Sequence, residues 1–143
     1  MIKEVLRLKA AGDTTQVRLM YANRKEEDIL LRDQLDRLSS DNDNFSVEYI
    51  LSQPSAQWQG KTGHIGASRL ETFLPAPSSN ILVYVCGPPG FMQAVSGDKL
   101  PSKEQGSVGG ALRALGYSGD LNSSRTAHIY VCCYVHCMHC ILY

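Results

Sequence analysis

The sequence predicts an α/β domain in which a parallel sheet of short strands is covered by helices on both faces. Three observations carry that expectation. Segments with apolar residues at every second position, Val17 to Tyr21 and Phe45 to Leu51, alternate along the chain with segments at helical spacing, Leu31 to Leu38 and Val108 to Leu115. The run Ile81-Leu82-Val83-Tyr84-Val85 stops at Cys86-Gly87-Pro88-Pro89, the pattern of a strand buried on both faces that delivers a turn to the sheet's edge. A chain of 143 residues with 43% hydrophobic content and balanced charge also has enough apolar surface for one packed core.

The elements follow in order. Ile2, Val5, Leu6 and Ala10 give one apolar helical face that Gly12 ends. Val17, Leu19 and Tyr21 form a strand whose exit is Ala22-Asn23-Arg24. Leu31, Leu35 and Leu38 line a helix that fades into the polar turn Ser39 to Asp43. Phe45, Val47, Tyr49 and Leu51 face one way and Ser46 and Glu48 the other, which suits a strand near the sheet edge. Gln53 to Gly66, with Pro54, Gly60 and Gly63, reads as a functional loop, and Ser68 to Leu74 as a short helix before Pro75 and Pro77. After the Cys-Gly-Pro-Pro turn another loop is expected. A last helix over Val108, Ala111, Leu112 and Leu115 is closed by Gly116.

Charge excludes some functions. With 14 basic and 14 acidic residues and no basic run, nothing favours nucleic acid, whose phosphates need a basic surface. Lys3, Glu4, Arg7 and Lys9 interrupt any secretory apolar core, so the body is expected to face the cytosol. Four of the five cysteines and three of the four histidines fall in Ala127 to Tyr143. Cys132, Cys133, His136, Cys137, His139 and Cys140 are metal-ligand types, but they crowd one short run without a second Cys-x-x-Cys arm, so no metal site is expected. The same run is too short and polar for a membrane anchor, and disulfides are not expected in an intracellular body. The β-branched and aromatic residues of Ile129 to Val135 predict a strand that returns beside Ile81 to Val85.

Read together, Cys86-Gly87-Pro88-Pro89-Gly90-Phe91-Met92 and Leu19-Met20-Tyr21-Ala22-Asn23-Arg24-Lys25-Glu26-Glu27-Asp28-Ile29-Leu30-Leu31-Arg32 resemble the NADH-binding domain of the NADH-cytochrome b5 reductase family, among the ferredoxin-reductase-like flavoenzymes. The similarity runs from Met1 to about Asp120, through Phe45 to Tyr49 and Trp58-x-Gly60-x-x-Gly63-His64-Ile65. It implies a Rossmann-like three-layer αβα sheet. It also implies that the first parallel strand, its Gly-rich loop and the flavin-binding barrel of the relatives are missing, so that residues 1–120 are a partial NADH-binding domain. Residues 121–143 depart from the family pattern and read as a divergent, out-of-frame or readthrough tail. In the family's topology the missing strand lies between the one at Val17 to Tyr21 and the one at Ile81 to Val85. Two inner edges would then be left to pair with something, another chain included.

The resemblance also assigns roles. Cys86 would position the nicotinamide, packing on its ring without acting as a base; a buried strand cysteine is the alternative. Tyr21, Asn23, Asp28, Gly87, Pro88, Pro89, Phe91 and Met92 would bind the dinucleotide. Asp28 would choose NADH over NADPH by accepting from the adenosine ribose diol, and it also suits a first-turn helix carboxylate. Tyr21 and Phe91 would flank the rings or belong to the core. Arg24 and Arg32 would meet phosphate or form surface ion pairs, and solvent-exposed packing is the default for His64. The function implied is the NADH-binding half of a flavin-dependent oxidoreductase, passing hydride to FAD and electrons to a haem protein, with no activity alone. The alternative is a non-catalytic or vestigial interaction protein.

Overall fold

Six strands make one mixed sheet in a computed structural model that describes residues 15–98, 100, 106–118, 128–132 and 139–142. In chain order they are β1 (Val17–Asn23), β2 (Phe45–Leu51), β3 (Lys61–Thr62), β4 (Leu82–Cys86), β5 (His128–Cys132) and β6 (His139–Leu142). The helices are α1 (Arg32–Asp41), α2 (Ala67–Phe73), α3 (Pro89–Ser96) and α4 (Gly110–Ala114), with a 3-10 turn at Glu26–Asp28. The helix expected over Ile2 to Ala10 lies outside the described residues.

Across the sheet the order is β3-β2-β1-β6-β4-β5. β1 pairs in parallel with β2, β2 with β3, and β4 with β5. β1 is apolar on both sides, as an inner strand must be. Met20 and Ala22 join Ile50, Val83 and Val85 under α2, α3 and α4, through Leu70, Phe73, Met92, Val95 and Leu112. Leu19 and Tyr21 join Phe45 and Leu51 under Leu35 and Leu38 of α1. These two apolar layers on opposite faces give the three-layer, Rossmann-like arrangement.

Three features depart from the expectations. The position between β1 and β4, whose two edges were expected to pair with something, is taken by β6, a segment not expected to be a strand. It runs antiparallel to both neighbours, with Ile141 in register with Met20 on one side and Val85 on the other. Met20 and Val85 face the same apolar layer, so this register keeps inside and outside consistent across the join. The tail strand forms beside β4 as expected and covers His128–Cys132; residues 133–135 lie outside the described residues. A helix, α3, stands where a loop was expected after the Cys-Gly-Pro-Pro turn. Pro89 occupies its first position, where a missing N–H costs nothing, and the carbonyl of Pro88 accepts from the N–H of Met92 at 3.0 Å. Leu31 does not line α1: it caps the helix at a left-handed φ of 58° and is 56% exposed, while Ile29 is buried instead.

Candidate functional site

Parallel strands aim their carboxyl ends at one side of the sheet, where open α/β folds bind ligands. There the exits of β1, β2 and β4 surround a cavity of about 730 Å³, within the range of ligand pockets. β1 and its exit contribute Ala22, Asn23 and Arg24; the 3-10 turn contributes Asp28; Ser52, just after β2, adds to the wall. The long loop contributes Gly63, His64 and Ile65, and the β4 exit contributes Pro88 and Phe91.

Asn23 is the most informative of these. It is 6% exposed, and among the described residues neither its amide nitrogen nor its amide oxygen has a hydrogen-bond partner. A buried, unpaired amide costs about 1 to 3 kcal/mol, and Asn23 is among the residues that line the cavity, so a ligand supplying both a donor and an acceptor would offset that cost. The backbone around it is fixed: Ser52 N–H donates to the Asn23 carbonyl at 3.0 Å and Gln53 N–H to the Arg24 carbonyl at 2.8 Å. Arg24 is turned toward the loop, its Nε donating to Gln53 Oε1 at 2.8 Å.

Asp28 is exposed and closes the 3-10 turn on itself. Its Oδ2 accepts from the backbone N–H of Lys25 at 2.9 Å. Glu26, Arg32 and Asp36 form a separate ion cluster: Arg32 pairs with Glu26 through NH1 and lies 3.7 Å from Asp36 through Nε. The hydrogen bond to Glu26 raises the Arg32 guanidinium above its usual range. Arg32 also lies over the rings of Trp58 and Tyr49, at 5.5 and 5.9 Å, and so is committed to the α1 face.

At the β4 exit, Gly87 is needed for a packing reason. A Cβ there would meet Cδ1 of Phe91 at 2.5 Å, so the missing side chain lets the half-buried Phe91 ring fold back over the strand end beside the cavity. Gly63 adopts φ +98° with open space around it, so the left-handed turn, not crowding, calls for glycine.

Of the residues singled out from the sequence, Asn23, Asp28, Pro88 and Phe91 come together on the cavity. Tyr21 and Met92 are buried in the two cores behind it, at 1% and 3% exposure. Cys86 is half-buried at the end of β4, Gly87 is buried beside it, and Pro89 is exposed at the start of α3. His64 is exposed, as expected, and it also lines the cavity with Ile65 and Ser52. The Gly63-His64 turn was the available signal; Ser52 offered none. Among the described residues no group of three His, Cys, Asp or Glu could hold a metal ion, and no helix there is long and apolar enough to cross a membrane.

A family model described as the oxidoreductase NAD-binding domain matches residues 1–97. The chain is 45% identical over 111 residues to NADH-cytochrome b5 reductase 2 of Meyerozyma guilliermondii, an alignment covering 77% of this chain and 38% of that protein. It is 40% identical over 114 residues to an NADH-cytochrome b5 reductase-like protein of Arabidopsis thaliana, covering 80% and 35%. The chain thus spans under two-fifths of the length of these relatives. Among solved structures, the cytochrome b5 reductase domain of Ulva prolifera nitrate reductase shares the fold at a TM-score of 0.63 and 24% identity, over 88% of this chain and 41% of that one. The CS-b5R domains of human Ncb5or in the NAD+ form match at 0.59 and 30%, over 89% and 32%.

Proposed function

The chain belongs to the oxidoreductase NAD-binding domain family, and from that premise we propose that it is the NADH-binding half of a flavin-dependent oxidoreductase resembling NADH-cytochrome b5 reductase. The observation that carries the reading is the buried, unpartnered amide of Asn23 on the wall of a cavity at the sheet's carboxyl edge. The residues present suit a dinucleotide, which offers amide, hydroxyl and phosphate groups between two flat rings. Asn23 binds a polar group of the nucleotide through both ends of its amide. Asp28 accepts from the adenosine ribose diol and repels a 2′-phosphate. Cys86 and Gly87 position the nicotinamide side, Phe91 and Pro88 exclude water from it, and Tyr21, Pro89 and Met92 hold those walls from behind. The chemistry the cofactors supply is hydride transfer from NADH to FAD, followed by electron delivery to a haem protein.

FAD belongs, in this reading, to a flavin-binding domain like that of the relatives, and the chain alone is inactive, because hydride transfer needs donor and acceptor about 3 to 3.5 Å apart. Calorimetric titration of the 143-residue chain with NADH tests the binding half. Saturable binding that Asn23→Leu abolishes is expected, and no heat beyond dilution would overturn it. Addition of FAD and ferricyanide tests the other half: NADH consumption at background is expected, and flavin-dependent turnover would refute it.

A further inference from the structure

Two walls of the cavity come from separate parts of the chain, the 3-10 turn that carries Asp28 and the loop that carries Gly63, His64 and Ile65. Arg32 does not line the cavity, yet it reaches the segments that carry both walls. Its NH1 donates to Oε1 of Glu26, the first residue of the 3-10 turn. Its guanidinium carbon lies 5.5 Å from the ring centroid of Trp58, within reach of a cation–π contact. Trp58 is half-buried and tied to the chain that follows it: its Nε1 donates to the carbonyl of Lys61 at 3.0 Å, and a Cβ on Gly60 would meet its ring at 2.4 Å. Lys61 and Thr62 form β3 beside Ile50 and Leu51, and the N–H of Gly63 donates to the Leu51 carbonyl at 2.8 Å. β3 is two exposed residues long, a weak anchor by itself, so the ring of Trp58 gives this loop a second hold.

We infer that Arg32 is a positioning residue that clamps the Asp28 turn to the Trp58 loop and so fixes the spacing of two walls that meet the nucleotide. This role rests on the dinucleotide reading of the cavity. Arg32 touches no substrate and acts through Glu26 and Trp58. One planar guanidinium can hold a carboxylate at its edge and an aromatic ring at its face, whereas a lysine ammonium is a point charge that keeps the first contact and loses the stacked one. Exposed ion pairs and exposed cation–π contacts are each weak, so the clamp tunes binding and does not hold the fold.

Trp58 is the chain's single tryptophan, so its fluorescence reads the clamp without any ligand. Acrylamide quenching of the free chain is expected to rise in Arg32→Ala and in Arg32→Lys. Unchanged quenching in Arg32→Ala would overturn the clamp whether or not NADH binds. In calorimetric titrations with NADH, Arg32→Ala, Glu26→Ala and Trp58→Leu are each expected to weaken binding by about fivefold, the size of one exposed contact of this kind. The Arg32→Ala, Trp58→Leu double variant is expected to lose no more than either single variant, since both remove one contact. Trp58→Phe keeps a ring under the guanidinium and is expected to bind NADH as the original does. Losses that multiply in the double variant, or unchanged NADH affinity in Arg32→Ala, would overturn the positioning role. An unaltered chain that binds no NADH overturns the functional reading and this role with it, and a quenching that still rises tells that outcome apart from failure of the clamp.

Discussion

Lys25 and Asp28 close a reciprocal loop: the backbone N–H of Lys25 donates to Oδ2 of Asp28 at 2.9 Å, and the backbone N–H of Asp28 donates to the Lys25 carbonyl at 3.2 Å. The carboxylate proposed to read the ribose is thus held by the turn that carries it, so a substitution there mixes a charge effect with a structural one. Two variants separate them. Asp28→Asn keeps an acceptor of the same reach for Lys25 and removes the charge, while Asp28→Ser removes the charge and shortens the acceptor's reach. Each is expected to lower the preference for NADH over NADPH by roughly tenfold, the order of one exposed charge contact. Titrations in which only Asp28→Ser changes the preference would make Asp28 a turn residue.

Asn23 predicts two effects of opposite sign. Asn23→Leu replaces a buried, unpartnered amide by an apolar group of similar size, so denaturant unfolding of the free chain is expected to show a gain of about 1 kcal/mol. NADH affinity is expected to fall in the same protein. A variant less stable than the original would show that the amide serves the fold and not a ligand.

The middle of the sheet depends on backbone pairing by Ile141, which stands in register with Met20 and Val85. Ile141→Pro removes an N–H from a strand flanked on both sides. It is expected to cost about 1 to 3 kcal/mol, the penalty of a buried backbone group left unpaired, and to promote aggregation through the reopened edges of β1 and β4. Thermal melting and light scattering check this. An unchanged melting temperature would remove β6 from the sheet.

Tyr49 gives a pH signature. Burial, and then its 2.8 Å hydrogen bond to Oδ1 of Asp36, push its hydroxyl well above the ordinary phenol range. The unfolded chain therefore loses this proton near pH 10 while the folded chain keeps it, so the contribution is present below that pH and lost above it. Stability is expected to fall as pH rises beyond about 10. Tyr49→Phe is expected to reduce that slope by at most about one proton. Parallel slopes for the two proteins would contradict the assignment.

Much of this was legible in the chain because local pattern and burial agree. The period-two residues of β1 and β2 fall on the buried layers, and the short helix before Pro75 and the last helix before Gly116 form close to where spacing put them. The misses have physical causes. Pro88-Pro89 reads as a turn in sequence, yet Pro at the first position starts a helix as readily as it ends a strand. Leu31 fits the apolar spacing of α1 but is spent on a left-handed cap. Asn23 was visible as a strand exit; that its amide is buried without a partner is a property of packing, which no local pattern carries. The register of β6 is likewise set by two strands that precede it by more than 50 and more than 110 residues.

That separation governs the order of assembly. β1 and β2 can pair early, as can β4 with the helix that follows it, but the two halves share no hydrogen-bonded neighbour until residues 139–142 arrive. Closing so long a loop before any contact rewards it makes for slow folding with late cooperativity. Until then each half presents an unpaired strand edge to solvent. The joining of the two halves, and not the formation of either, is the step at which this chain is committed to fold or to aggregate.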